Sequence, residues 1–205
     1  METRLLTAAF VFALASLALG AYVASRPPPR IDVAASAALR GTALPLAAFF
    51  TGLGRWPVLL SLGVLAFGVA MTLRTGLSAV VILYGAQVVS QASNALVKLA
   101  FHRTRPDTWL LIKETDLSFP SGHAVSAVVF FLGLALLAWH SALPRPVTIP
   151  IAALLFVCVV GIPWSRLALG AHYLTDVIGG LLLGAAFLCL ALAVIMRFAS
   201  APAAP

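Results

Sequence analysis

Six stretches of mostly apolar residues divide the chain: 5–24, 57–73, 77–100, 121–139, 147–164 and 172–196. Each approaches the roughly 20 residues that a helix needs to cross the hydrocarbon core of a bilayer. No other feature restricts the fold so strongly. Without water in the core, a spanning segment must satisfy its own backbone hydrogen bonds, and helices do so within the segment. The predicted fold is all-α, a polytopic membrane bundle of about six transmembrane helices. Composition agrees: 62% of residues are hydrophobic and 9% charged, against about 25% charged in a soluble domain. Disorder is excluded on the same grounds. A net charge of +7 would suggest nucleic acid in a soluble protein. Here the cations lie between apolar segments and read as headgroup contacts, so the expected partner is the lipid bilayer and not nucleic acid. Residues 1–205 read as a single membrane domain without internal repeats.

The connections are informative. The apolar run of 5–24 exceeds the roughly 7–15 residues of a signal-peptide core, so the first span reads as uncleaved. Arg26-Pro-Pro-Pro-Arg30 is a stiff breaker. Asp32 to Phe50 is less apolar, carries Arg40 and Pro45, and reads as an interfacial or re-entrant helix between the first two spans. A polar loop from Phe101 to Phe119 holds Arg103, Arg105, Asp107, Lys113, Glu114 and Asp116, with its acids lying out in the loop. The tail 199–205 reads as frayed. Trp56, Trp139, Trp164 and Tyr173 fall near span ends as interfacial anchors, and Trp109 dips into the same interface from the polar loop. Cys158 and Cys189 lie in apolar runs and read as small buried hydrophobes. His102, Arg103 and His140 receive no chemical role.

Within the third span, Gln87, Gln91, Asn94 and Lys98 recur at four, three and four residues. That places them on one helix face, which must look into the bundle. Gln87 and Gln91 read as helix–helix glue. Lys98 is an intramembrane cation and therefore a functional candidate. Span parity then gathers three distant clusters on one side of the membrane. Lys98 and Arg105 end the third span, Ser121-Gly122-His123 opens the fourth, and Ser165-Arg166 closes the fifth. His172 and Asp176 open the sixth.

Three cations held together repel one another unless an anion sits among them. Arginine offers a planar fork to phosphate oxygens and lysine a point charge, and a phosphate with about two negative charges balances them. Lys98, Arg105, Arg166, Ser121 and Gly122 are the candidate phosphate-binding residues, the last two through the helix N-terminus. His172 and Asp176 lie four apart on one helix face, where a carboxylate fixes the imidazole tautomer. His172 suits a nucleophile, His123 a general acid, and Asp176 the orienting carboxylate. No His, Cys, Asp or Glu group has metal-ligand spacing, so neither a metal nor another cofactor is expected. A non-hydrolytic transporter or lipid-phosphate-binding protein would use the same cations. It would not require His123, His172 and Asp176.

KLAFHRTRP at 98–106, PSGH at 120–123 and SRLALGAHYLTD at 165–176 occur in this order. The ordered triple resembles the signature of the type-2 phosphatidic acid phosphatase superfamily, in its bacterial integral-membrane branch. The resemblance implies hydrolysis of a lipid phosphate or pyrophosphate through a phosphohistidine at His172, with His123 protonating the leaving group. Undecaprenyl pyrophosphate, phosphatidylglycerophosphate and phosphatidate are the substrates it implies. It also implies an inner-membrane enzyme whose site faces the periplasm or the outside. The positive-inside rule opposes that orientation mildly. It puts Arg4, Arg74, Arg145 and Arg197 in the cytoplasm and the other nine Lys/Arg outside, six of them without a proposed phosphate role.

Overall fold

Helices start and stop where the sequence places its breakers and charges. The structure is a computed structural model that describes residues 1–73, 76–107 and 114–199. Arg74, Trp109, Lys113 and the last six residues of the tail lie outside the described residues. Helix α1 (Glu2–Ala24) stops before the proline run. Helices α2 (Arg30–Leu39) and α3 (Leu44–Leu53) follow, bent by 115° at the break between them. The break carries Gly41 at φ +83° and Ala43 at φ 43°, and Pro45 sits in the first turn of α3, where its missing N–H costs no hydrogen bond. This segment is therefore not one straight span.

Next come α4 (Trp56–Leu73), α5 (Leu77–Phe101), α6 (Gly122–His140), α7 (Arg145–Ala168) and α8 (Leu174–Ala199). Among the described residues, α1, α4, α5, α6, α7 and α8 are the six helices long and apolar enough to cross a membrane. Two boundaries differ from those read in the sequence. Helix α7 continues through Pro163 to Ala168, past the expected end at 164, and Arg166 lies on its last turn. Helix α8 begins at Leu174, which leaves His172 in the connection before it.

Helix α6 is the centre of the bundle. Over half of its most apolar window is buried, against 17–28% for α1, α4, α5 and α7. Phe130 and Phe131 pack with Phe50, Leu59 and Ile162 on one side. Val125 and Val129 pack with Leu83 and Leu183 on the other. Between the two cores, residues 127–132 of α6 form a π-helical turn. Helix α8 lies against α6 through glycines. A Cβ at Gly180 would stand 2.4 Å from the Ser121 carbonyl oxygen, and one at Gly184 would stand 2.9 Å from Val128 Cβ. Such close approach is how small residues bind spans where lipid supplies no hydrophobic drive.

The outer faces show Phe10, Val64, Leu154 and Phe198, each more than half exposed. Apolar faces of this extent require lipid as solvent, which makes the chain an integral membrane protein. Trp56 and Trp139 are exposed at span ends as anchors should be. Trp164 is not such an anchor, because it packs edge-on against Phe50 with ring centres 6.4 Å apart. Cys158 and Cys189 are unpaired.

Candidate active site

The polar stripe of α5 does face inward. Gln87 is fully buried, and its Nε2 donates to Ser126 Oγ at 2.8 Å. Gln91 Nε2 donates to the same hydroxyl at 2.8 Å and to the Gly122 carbonyl at 3.0 Å. These bonds tie α5 to the first turn of α6. They also explain Gly122, where a Cβ would stand 3.1 Å from both Gln91 Oε1 and Asn94 Nδ2.

One turn further along, Lys98 is buried and donates to Asp116 Oδ2 at 2.6 Å and to the Leu117 carbonyl. His102 ends α5 in the left-handed region at φ 49°. In the non-helical stretch that follows, Arg103 and Arg105 reach different partners. Arg103 pairs with Asp32 and Asp176. Arg105 lines a cavity of about 330 Å³ together with Lys98, Gly122, His123 and His172. The two histidines, 49 positions apart in the sequence, thus share one chamber at one end of the bundle.

His172 is almost fully buried. Arg105 Nη1 lies 2.8 Å from its Nε2 and must be the donor, because a guanidinium accepts nothing. Nε2 therefore carries a lone pair and the ring proton sits on Nδ1, 3.5 Å from Asp176 Oδ2. Burial, followed by the charges of Arg105, Arg166 and Lys98, holds the His172 imidazole well below its ordinary range, so the ring is neutral at pH 7. This is the state needed for attack through Nε2.

Asp176 also accepts from Arg103 Nη1 at 2.6 Å, from Ser118 Oγ, and from the Tyr173 amide at 2.8 Å. The Tyr173 bond is a reach-back from the third residue of α8 to its N-cap amide, half of a capping box. The same carboxylate thus fixes the helix start and faces the imidazole. The Nε2–H of His123 donates to the Thr51 carbonyl at 3.2 Å. His123 packs closely on Gly54, where a Cβ would stand 2.5 Å from the ring.

Arg166 is buried at the end of α7 and donates through Nη1 to Thr51 Oγ1 and through Nη2 to Glu114 Oε1. Its Nε has no partner among the described residues. Ser121 is fully buried and caps nothing with its side chain, and its Oγ likewise has no partner among the described residues. Its amide, expected from the sequence to face an anion, instead donates to the Asp176 carbonyl at 3.0 Å. That bond joins the start of α6 to α8 and takes the Ser121 N–H away from an anion.

The loop acids are a second correction. Glu114 and Asp116 do not lie out in the loop. Glu114 pairs with Arg166 and with Arg105, the latter at 2.9 Å, and Asp116 pairs with Lys98 and Arg105. The anion that three neighbouring cations require is here supplied by two carboxylates. Burial alone would raise both acids. The guanidiniums of Arg166 and Arg105 hold Glu114 below the usual carboxylate range, and Lys98 and Arg105 do the same for Asp116.

Arg103, without a role in the sequence reading, is 4% exposed and stands between two carboxylates, stacked 4.5 Å from the Tyr173 ring centre. Thr51 and Ser118 also escaped that reading. A usable signal existed for Arg103 and Asp32. Asp32 is an acid on a helix pressed to the membrane, and a buried charge there must find a cation. Among the described residues no three His, Cys, Asp or Glu side chains are grouped to hold a metal ion.

The chain is 38% identical to phosphatidylglycerophosphatase B of Bacillus subtilis over 99 residues, 44% of this chain and 45% of that protein. It is 37% identical to decaprenylphosphoryl-5-phosphoribose phosphatase of Mycobacterium tuberculosis over 101 residues, 47% of this chain and 50% of the relative. It is 40% identical to lipid A 1-phosphatase of Rhizobium johnstonii over 80 residues, 39% of this chain and 29% of the relative. The chain thus spans half or less of the length of these curated relatives. A crystal structure of a transmembrane PAP2-type phosphatidylglycerolphosphate phosphatase from Bacillus subtilis shares the fold, with a TM-score of 0.66 over 96% of both chains at 23% identity. Residues 76–199, which hold every side chain of the cavity except those from the α3–α4 end, match the model of the PAP2 superfamily, and the chain belongs to that superfamily.

Proposed function

We propose that this chain, as one membrane domain, is a lipid phosphatase that hydrolyses a phosphomonoester or pyrophosphate by way of a phosphorylated His172. The observation that carries this reading is His172 Nε2 against the Arg105 guanidinium, in one cavity with His123 and with cations already engaged by anions. In the first step Nε2 attacks phosphorus, the N–P bond forms and the P–O bond to the lipid breaks. His123, as the imidazolium in the substrate complex, gives one proton to the departing oxygen and is left neutral. In the second step His123 takes a proton from water, the water oxygen attacks phosphorus, and inorganic phosphate leaves as the imidazole is restored. Lys98, Arg105, Arg166 and the Ser121 hydroxyl hold the non-bridging oxygens, where charge builds up. Asp176 stabilises the charge that His172 acquires. No step calls for a metal ion.

An isoprenyl pyrophosphate such as undecaprenyl pyrophosphate is the first substrate to test, then phosphatidylglycerophosphate and phosphatidate. The relatives named above act on varied lipids. All the residues assigned here read phosphate and not the lipid tail. We place the enzyme in the bacterial inner membrane with the cavity outside. Lys98, Arg103, Arg105 and Arg166 are buried or ion-paired, so they carry little weight in the positive-inside balance. What then remains outside is Arg26, Arg30, Arg40, Arg55 and Lys113, against Arg4, Arg74, Arg145 and Arg197 inside, which favours neither orientation.

The test is phosphate release in detergent from a panel of these lipids. His172→Ala should abolish release while lipid binding survives, the wild type should yield an acid-labile phosphoenzyme, and EDTA should leave activity intact. Turnover by His172→Ala at the wild-type rate would remove the proposed nucleophile.

A further inference from the structure

Asp32 is fully buried although it lies on α2, outside the six long spans. Its Oδ1 accepts from the Thr175 amide at 2.8 Å. Its Oδ2 accepts from Thr175 Oγ1 at 2.7 Å and from Arg103 Nη2 at 2.8 Å. Arg103 in turn reaches Asp176 Oδ1 through Nη1 at 2.6 Å, and the same Nη1 donates to Thr175 Oγ1 at 2.7 Å. The order is Asp32, Arg103, Asp176, His172, each member touching the next.

We propose that Asp32 is a positioning residue for the reaction, which shares the charge of Arg103 so that Asp176 keeps a net negative charge toward His172. The inference rests on the phosphatase reading above. Arg103 paired with Asp176 alone would form a neutral unit. Such a unit does little for the positive charge that His172 acquires when its Nε2 bonds to phosphorus. With Asp32 present, the three groups together carry one negative charge in a site screened from water, where charge acts strongly. The geometry is also restrictive. The guanidinium fork is held at one edge by Asp32 and at the other by Asp176, and the Tyr173 ring stacks beside it. The helix pair between the first two spans is thereby joined to the catalytic carboxylate.

A purely structural Asp32, serving as an N-terminal cap for α8 through the Thr175 amide, would predict lost stability and no special link to Asp176. The experiment separates the two with a double-mutant cycle on the full chain in detergent. Asp32→Asn, Asp176→Asn and the double variant are compared for kcat, KM and thermal unfolding, with phosphatidylglycerophosphate or whichever lipid of the panel is hydrolysed. Asp32→Asn should lower kcat roughly tenfold, the loss of one charge-assisted interaction, with KM nearly unchanged. Asp32→Glu should restore part of that loss. In the Asp176→Asn background the Asp32 change should cost nothing further. Wild-type kcat in Asp32→Asn, or the same fractional loss in both backgrounds, would overturn the proposal. Should Asp32→Asn not fold, Thr175→Val removes the hydroxyl between Asp32 and Arg103 and should give a smaller kcat loss of the same kind, and a wild-type kcat there would be equally decisive. Full activity in Asp176→Asn would instead strike the assignment of Asp176 itself, so the two failures are distinct.

Discussion

If Lys98 and Arg105 bind the substrate phosphate as proposed, Asp116 competes with it for the cations it now holds, and replacing Asp116 makes that competition measurable. Its carboxylate pairs with Lys98 at 2.6 Å and with Arg105, while 56% of its side chain remains in water. That exposure places each pair in the weak class, about 0.2–1 kcal/mol. Two pairs give roughly 0.5–2 kcal/mol that an incoming phosphate must overcome. Asp116→Asn removes the charge and keeps the shape. The apparent affinity for a tetrahedral anion should then rise roughly 2- to 30-fold, the same free energy expressed as a ratio. Inorganic phosphate is the direct probe, as a competitive inhibitor of lipid hydrolysis in detergent. Its Ki should fall by that factor, KM for the lipid should fall with it, and kcat should hold, because only binding shared by ground and transition states has changed. A Ki that stays constant or rises would mean that Asp116 orders the cations for substrate rather than standing in for it, and the competition argument would be wrong.

Two further outcomes follow from the same geometry. In the proposed reaction His172 acts in its neutral form, and its pKa is depressed by burial and by Arg105, Arg166 and Lys98. The acid limb of kcat/KM should therefore lie at the lowered value, with a window between it and the ordinary imidazole value of about 6.5. The same depression makes the unfolded chain bind the extra proton first, so folding stability should fall as pH drops through this window. A limb at or above the ordinary value would contradict the electrostatic account. Gly180→Ala is the packing test. Its Cβ would meet the Ser121 carbonyl at 2.4 Å, backbone that cannot swing aside. Overpacking of this kind costs about 1–3 kcal/mol. It should lower the thermal midpoint in detergent and reduce kcat by separating the start of α6 from His172 and Asp176. A variant with wild-type midpoint and rate would show that the α6–α8 approach is not needed.

The bundle was legible because lipid simplifies the problem. Apolar length and charged interruptions mark spans without any knowledge of packing, and parity alone puts His123, Arg166 and His172 at one end. The α5 stripe was legible for a related reason, since amides four and three residues apart must turn away from lipid together. What periodicity does not encode is the direction of a side chain in a loop. Arg103 and Arg105 are two residues apart in the same polar segment, and nothing in their local sequence says that one enters the cavity while the other turns to Asp32. The Ser121 amide was misread for a similar reason. Its partner is the Asp176 carbonyl, 55 positions away in the sequence, and no local pattern announces such a bond.

The loop acids are the case where the physics was right and the identity of the ion was not. Lys98, Arg105 and Arg166 cannot be buried side by side without compensation, so an anion among them was required whatever the function. In the proposed reaction a phosphate satisfies that requirement during turnover. Between turnovers the cations still need a partner, and carboxylates tethered nine and eleven residues from Arg105 are at hand. Glu114 and Asp116 are near enough in sequence to return, and Asp116 is exposed enough to leave. A site built this way need not hold its cations bare while it waits for a lipid, and its affinity for phosphate is set by the difference between two anions rather than by the cations alone. Weakening the tethered anion should therefore tighten the free one, whereas removing a cation should weaken both.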